Sequence, residues 1–336
     1  MIILHTYHDI NPTAWQELVD SSPYATWFQT PEAYEFYAAN PEEMIPFTFG
    51  VECEGELRAV IVGYITKEKS ALKQFFTRRA IIIGGPLLAD DATAEEISAL
   101  LNVVKNLPCE YIGISPIYIE IRNFHDYSRW KDVFQKSNFA YQPHYDIHVH
   151  CTATHTMSEQ RIRQMKKAIK NGGEIALATS EQEIRNWYQI LSKLYCTKVR
   201  APLFSEEFFL QFYRANKGIF LLVKYRGKVI GGMMCPILNG KVLYEWYVCG
   251  LDEEYHDLYP SVMATYAAIE YAKNNSLPLF DFMGAGKPNI PYGVRDFKME
   301  FGGQLVEYGR FLCVRKPILC KIGELGMRLL KRKNIK

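Results

Sequence analysis

The chain has 336 residues, 48% of them hydrophobic, with 39 lysines and arginines against 37 aspartates and glutamates. That length exceeds one ordinary core and points to two domains, while the near-even charge excludes a protein that binds polyanions over its whole surface. The eight cysteines form no C-x-x-C pair and sit mostly in apolar runs, so they read as buried, reduced thiols of a cytoplasmic protein. Met1-Ile2-Ile3-Leu4-His5-Thr6 has no basic region ahead of a long apolar core, so no secretory signal is expected. No run approaches the ~18 apolar residues of a membrane span.

In chain order, helical segments precede a hairpin over Phe47–Ile65, which turns at Glu54-Gly55 and continues through Ala59-Val60-Ile61-Val62. A strand from Ala80 stops at Gly85, a helix covers Ala94–Asn106, and a further strand covers Glu110–Ser115. His144, Asp146, His148 and His150 then alternate along one strand, with His155 nearby. Alternation puts them on one face, and zinc accepts such ligands, but the expected reading is a polar strand face near the domain junction with no metal. Helices follow over Ser158–Asn171 and Glu181–Leu194, and a third begins near Ser205. The first carries Arg161, Arg163, Lys166, Lys167 and Lys170, a basic patch that suits either solvent or an RNA backbone.

A second hairpin over Phe220–Met234 turns at Arg226-Gly227. A strand over Val242–Gly250, a helix over Pro260–Asn274 and a strand over Leu279–Phe282 come next. The order strand, strand, strand, helix, strand therefore occurs twice. That is the mark of a duplicated domain rather than a solenoid of short repeats. The fold class is α/β (α+β): two tandem domains, each a mixed, mostly antiparallel sheet flanked by helices.

After Phe282 the chain reads Met283-Gly284-Ala285-Gly286 and then Tyr292-Gly293-Val294-Arg295-Asp296-Phe297-Lys298, a strand ending in a glycine turn and a loop that delivers a lysine beside an aromatic ring. Gly284-Ala285-Gly286-Lys287 is no phosphate loop of the Walker type, because Asp281 stands where the first glycine belongs and Pro288 where the hydroxyl belongs. The tail from Arg315 holds eight basic residues and one acid. Pro317 opens a basic amphipathic helix with Ile318, Leu319, Ile322, Leu325, Leu329 and Leu330 on its apolar side. It suits docking on the protein itself, RNA, or a peripheral contact with an anionic membrane surface.

This layout resembles the GNAT acyltransferase fold, and its doubling resembles the FemABX family of aminoacyltransferases, which build peptidoglycan cross-bridges. The resemblance rests on Phe28-Gln29-Thr30-Pro31-Glu32, on Arg161-x-Arg163-x-x-Lys166-Lys167-Ala168, and on the block from Tyr244 to Gly309 with Asp281-Phe282-Met283-Gly284 and Phe297-Lys298-x-x-Phe301-Gly302. It implies domains over 1–150 and 151–309, with a strand and basic helix over 310–336 packing back on the first. It implies an enzyme that transfers an acyl or aminoacyl group to an amine of a cell-envelope precursor, in the cytoplasm or peripherally at the inner membrane face.

The resemblance also implies roles. Lys298 and Phe297 would meet the donor, Arg200 the acceptor's phosphates, and Tyr244, Glu245 and Tyr247 would line the cleft strand, with Tyr292 beside the substrate and Glu245 able to take a proton. Relatives that use acyl-CoA place a glycine-rich turn before the helix after the fourth strand, where backbone N–H groups approach pyrophosphate. Here that segment, Leu251 to Pro260, has no glycine and four carboxylates. That weighs against acetyl-CoA in the usual pose; FemABX-like proteins lack the same turn, and the resemblance implies aminoacyl-tRNA as the donor, with acyl-CoA or an acyl carrier as the alternative acting on a small amine or sugar, and no bound cofactor. Tyr37 stands where relatives carry a lysine for a nucleotide-linked acceptor, which puts such an acceptor in doubt. A non-catalytic RNA- or membrane-associated protein is the remaining reading.

Overall fold

The computed structural model describes residues 1–68, 70–107, 115–152 and 157–323. Two compact units emerge, Met1–Pro143 with Tyr308–Lys336, and His144–Glu307. The first unit contributes strands β1 (Ile2–Thr6), β2 (Met44–Cys53), β3 (Glu56–Thr66), β4 (Arg79–Gly84), β5 (Leu87–Leu88), β6 (Tyr118–Asn123) and β7 (Ala140–Gln142), with helices α1 (Pro12–Ser21), α2 (Pro31–Ala38), α3 (Ala71–Thr77), α4 (Ala94–Asn106) and α5 (Lys131–Lys136). The strand expected at 110–115, and Cys109, lie outside the described residues except for Ser115. The parallel partner of β4 is β6, from Arg79↔Tyr118 to Gly84↔Asn123.

The second unit holds β8 (Tyr145–His150), α6 (Glu159–Lys170), β9 (Gly173–Leu177), α7 (Glu181–Leu194), α8 (Glu206–Ala215), β10 (Gly218–Tyr225), β11 (Lys228–Leu238), β12 (Val242–Tyr244), β13 (Tyr247–Gly250), α9 (Pro260–Asn274), β14 (Leu279–Asp281), α10 (Gly293–Met299) and β15 (Gln304–Glu307). Its strand order is β15-β8-β14-β12-β11-β10-β9, with β13 also on β11. The sequence reading ended the first domain at residue 150. The sheet places β8 in the second unit instead, because β8 pairs with β14 on one side and β15 on the other.

The chain then returns to the first unit as β16 (Arg310–Val314), inserted between β6 and β7. Phe311 stacks on Phe134 with ring centroids 3.9 Å apart. Residues 317–323 are helical, and the rest of the basic tail lies outside the described residues. Among the described residues no helix is long and apolar enough to cross a membrane.

Local chemistry explains the elements. Both hairpins turn through two residues at positive φ, Glu54-Gly55 and Arg226-Gly227, the geometry that matches the twist of paired strands. Thr93 and Glu96 close a capping box at the start of α4, and Ile97, Leu100, Leu101 and Val104 carry that helix onto a core with Phe47, Phe49 and Ile61. In the second unit, α9 buries Val262, Ala267, Ala268 and Ile269 against Leu243 and Phe280. Trp187 of α7 meets Phe209 and Phe220 edge-on.

In the first unit the space past the end of β4 is filled. The fully buried Gln29 amide donates to Val62 O at 3.0 Å and Ile83 O at 2.7 Å, and accepts from Val62 N at 2.8 Å. Thr26 packs so closely on Gly84 that a Cβ there would collide with its hydroxyl, and a Cβ at Gly85 would lie 2.6 Å from the Tyr127 ring. The Phe28-to-Glu32 motif is thus a plug that fills, among the described residues, the gap between β3 and the end of β4. Tyr37 is buried beside Tyr64, with ring centroids 5.0 Å apart.

Candidate active site

The second sheet forks where the first is plugged. β12 runs parallel to β14 for three residues, ending at Tyr244↔Asp281. Beyond that point β13 pairs with β11 and, among the described residues, not with β14. The expected strand over Val242–Gly250 is therefore two strands broken at Glu245 and Trp246. Glu245 N donates to Asp281 O at 2.9 Å and Trp246 N to Met234 O at 3.1 Å, so Glu245 stands at the fork itself.

Lys298 reaches the same place from α10. Its ammonium lies 2.9 Å from Glu245 Oε1 and donates to Phe282 O at 2.7 Å and Gly284 O at 3.0 Å. Those three partners account for all the donors an ammonium has. Both side chains are nearly inaccessible, at 9% for Lys298 and 5% for Glu245. Burial pushes the Glu245 carboxyl above its usual range, while the Lys298 charge pulls it back. Lys298, expected at the donor, is in this structure the clamp that neutralises Glu245 and holds the 282–284 turn.

A second buried group adjoins it. His148 lies directly opposite Asp281 across the β8–β14 pair, and its Nε2 is 3.5 Å from Asp281 Oδ2. Burial works against the His148 imidazolium, but Asp281 outweighs it and raises the pKa. Asp146, two residues earlier on the same face, accepts from Ile147 N and Gly284 N, each at 2.7 Å. Burial first, and then the Asp281 charge, push the Asp146 carboxyl well above the usual carboxylate range. Strand alternation marked Asp146 and His148 in the sequence, but their partner Asp281 is more than 130 residues away, so no local pattern announced the cluster.

The remaining expected residues are dispersed. The Phe297 ring lies under the Arg161 guanidinium at 4.5 Å, and Arg161 also pairs with Glu300 at 3.2 Å. Arg161 is therefore packed against Phe297 and Glu300, whereas Arg163, Lys166, Lys167 and Lys170 stay exposed, Lys167 paired with Asp257 at 2.7 Å. Tyr244 is buried, Tyr247 packs edge-on against Phe209 at 5.1 Å, and Tyr292 is 41% exposed at the start of α10. Arg200 occupies an exposed left-handed turn after residues 195–199 and bonds to Thr197 O at 3.3 Å; it takes no part in the buried cluster. Among the described cysteines all are free, and Cys196 is exposed, unlike the buried thiols expected.

The helix that follows the fork, α9, carries its own anion. Asp252 Oδ1 accepts from Ser261 N at 3.1 Å, and Asp252 Oδ2 takes the Ser261 hydroxyl. Pro260, the first helical residue, has no N–H to offer. The other acids of the segment are paired with lysines, Glu253 with Lys198 and Glu254 with Lys193, each at 2.7 Å.

Residues 158–299 match the family model for an acetyltransferase (GNAT) domain. Two mixed sheets flanked by helices, the second forked and bearing that match, give the chain the fold of tandem GNAT proteins. Among solved structures the chain is similar to FemX, at 14% identity and a TM-score of 0.70, covering 96% of this chain and 99% of that one. It is similar to L-PGS from Bacillus licheniformis, at 12% identity and a TM-score of 0.58, covering 94% and 96%. A tandem GNAT protein from the clavulanic acid biosynthesis pathway shares 9% identity with a TM-score of 0.57, covering 93% and 98%. At these identities the likeness is one of fold. No curated relative matches the chain by sequence.

Proposed function

We propose that this protein transfers an aminoacyl group, carried by tRNA, to an amine of a cell-envelope precursor at the fork of its second domain. The observation that carries the reading is Asp252. A CoA pyrophosphate held at a helix N-terminus needs free backbone N–H groups and a favourable field. At α9 a carboxylate already takes the N–H and hydroxyl of Ser261, and proline removes the first donor. A polyanion there would face repulsion, so the donor is held elsewhere. The FemX and L-PGS folds supply precedents for this architecture over nearly the whole chain.

Aminolysis of an activated ester needs a neutral amine and a stabilised oxyanion. Glu245, raised by burial and set at the fork, is the proposed proton acceptor. Lys298 acts on it from behind, as a positioning residue whose charge keeps the carboxylate available. Phe297, Tyr292, Tyr244 and Tyr247 are proposed to shape the binding surface, and the exposed Arg200 to meet an acceptor phosphate.

The test is a transfer assay with purified protein, labelled aminoacyl-tRNA and envelope precursors, read by mass spectrometry, with acetyl-CoA in a parallel arm. Label appearing on a precursor amine and lost in Glu245→Gln supports the reading. Acyl transfer from CoA with no consumption of aminoacyl-tRNA overturns it.

A further inference from the structure

We propose that Asp146, His148 and Asp281 form a site for one divalent transition-metal ion inside the second domain. The proposal is independent of the donor and acceptor argued above. The three side chains come from two paired strands, and each is more than nine-tenths buried. One ligand-type atom from each lies within 4.8 Å of the others. The His148–Asp281 separation of 3.5 Å is close to the ~3.3 Å between two ligand atoms that share a tetrahedral ion at about 2.0 Å from each.

Asp146, Asp281 and Glu245 bring three carboxylates into one buried region, where Lys298 is the neighbouring ammonium. Lys298 gives its three donors to Glu245, Phe282 O and Gly284 O. In the metal-bound state, with imidazole neutral and the three carboxylates ionised, the region would carry two negative charges beyond the Lys298 ammonium, and the ion would neutralise them. Buried charge is costly unless matched, and a divalent ion matches it.

The carboxylates are also held as metal ligands usually are, by groups behind them. Ile147 N and Gly284 N fix Asp146 Oδ1, and Met283 N fixes Asp281 Oδ1 at 2.6 Å. Met283 reaches that position at φ +56, a left-handed conformation that a methionine rarely adopts. One imidazole nitrogen with two carboxylate oxygens suits zinc, manganese or ferrous iron better than calcium or magnesium. The ion would tie β8 to the turn after β14, directly behind Glu245 and Lys298.

The full chain, purified without chelator, should contain about one such ion per molecule by elemental mass spectrometry. After stripping, calorimetric titration with zinc and with manganese should show a single site, and His148→Gln and Asp281→Asn should weaken it more than about a hundredfold. Glu253→Gln, a surface control, should leave it unchanged. Should the core variants fail to fold, cobalt loaded into the wild-type chain should broaden the His148 imidazole resonances. Absence of stoichiometric binding by the folded wild type, or binding that persists in folded His148→Gln, overturns the proposal.

Discussion

Lys298 and Glu245 are a buried pair, and such pairs are asymmetric in their energetics. Removing one partner strands the other charge, at a cost of about 3–5 kcal/mol, whereas replacing both with apolar groups is often neutral. Lys298→Met should therefore lower unfolding free energy in urea by about that amount, and Lys298→Met with Glu245→Leu should recover most of it. A double variant destabilised by the sum of the Lys298→Met and Glu245→Leu single variants would mean that the pair is not coupled. Lys298 was legible in the sequence because an aromatic-lysine step follows a glycine turn. Its engagement with Glu245 was not, because the two residues lie 53 positions apart and meet only when the sheet forks.

At the scale of elements, single buried polar groups hold the strand ends and helix starts. Gln29→Leu would leave Val62 N, Val62 O and Ile83 O without their partner, and the expected loss is about 3 kcal/mol, with transfer activity retained at permissive temperature. Asp252→Ala should cost about 1 kcal/mol as a lost helix cap. It should not create CoA binding by calorimetry, since Pro260 still withholds a donor. The first sheet also carries an acid-sensitive group. Burial works against the Glu120 carboxylate, but Arg122 and Arg310 outweigh it and lower its pKa to about 2.

A carboxyl whose folded pKa is depressed stabilises the fold above its unfolded value and loses that contribution as pH falls. Stability should thus decline between about pH 4.5 and pH 2, by up to roughly 3 kcal/mol from this group. Glu120→Gln should flatten that part of a pH-dependent urea series. An unchanged acid limb would assign the sensitivity elsewhere.

At the scale of the molecule, connectivity sets what can fold alone. Residues 144–307 contain every strand of the second sheet, so that fragment should unfold cooperatively by calorimetry. Residues 1–143 lack β16, which sits between β6 and β7 and places Phe311 on Phe134. They should fail to do so until 308–323 is supplied on a linker. A cooperative transition in 1–143 by itself would show that β16 is dispensable.

The sequence by itself determined the helices over Ala94–Asn106 and Glu181–Leu194, the two hairpins and the duplication, because caps, turn residues and apolar periodicity are local chemistry repeated along the chain. Tertiary structure decided that the first cleft is plugged by Gln29, that Asp252 occupies the helix end where a pyrophosphate would sit, and that Asp146, His148, Glu245, Asp281 and Lys298 share one buried region. Those facts depend on strand pairing between residues far apart in sequence. No single segment carries the partner's charge, and it is the partner that turns a polar side chain into a plug, a cap or a ligand.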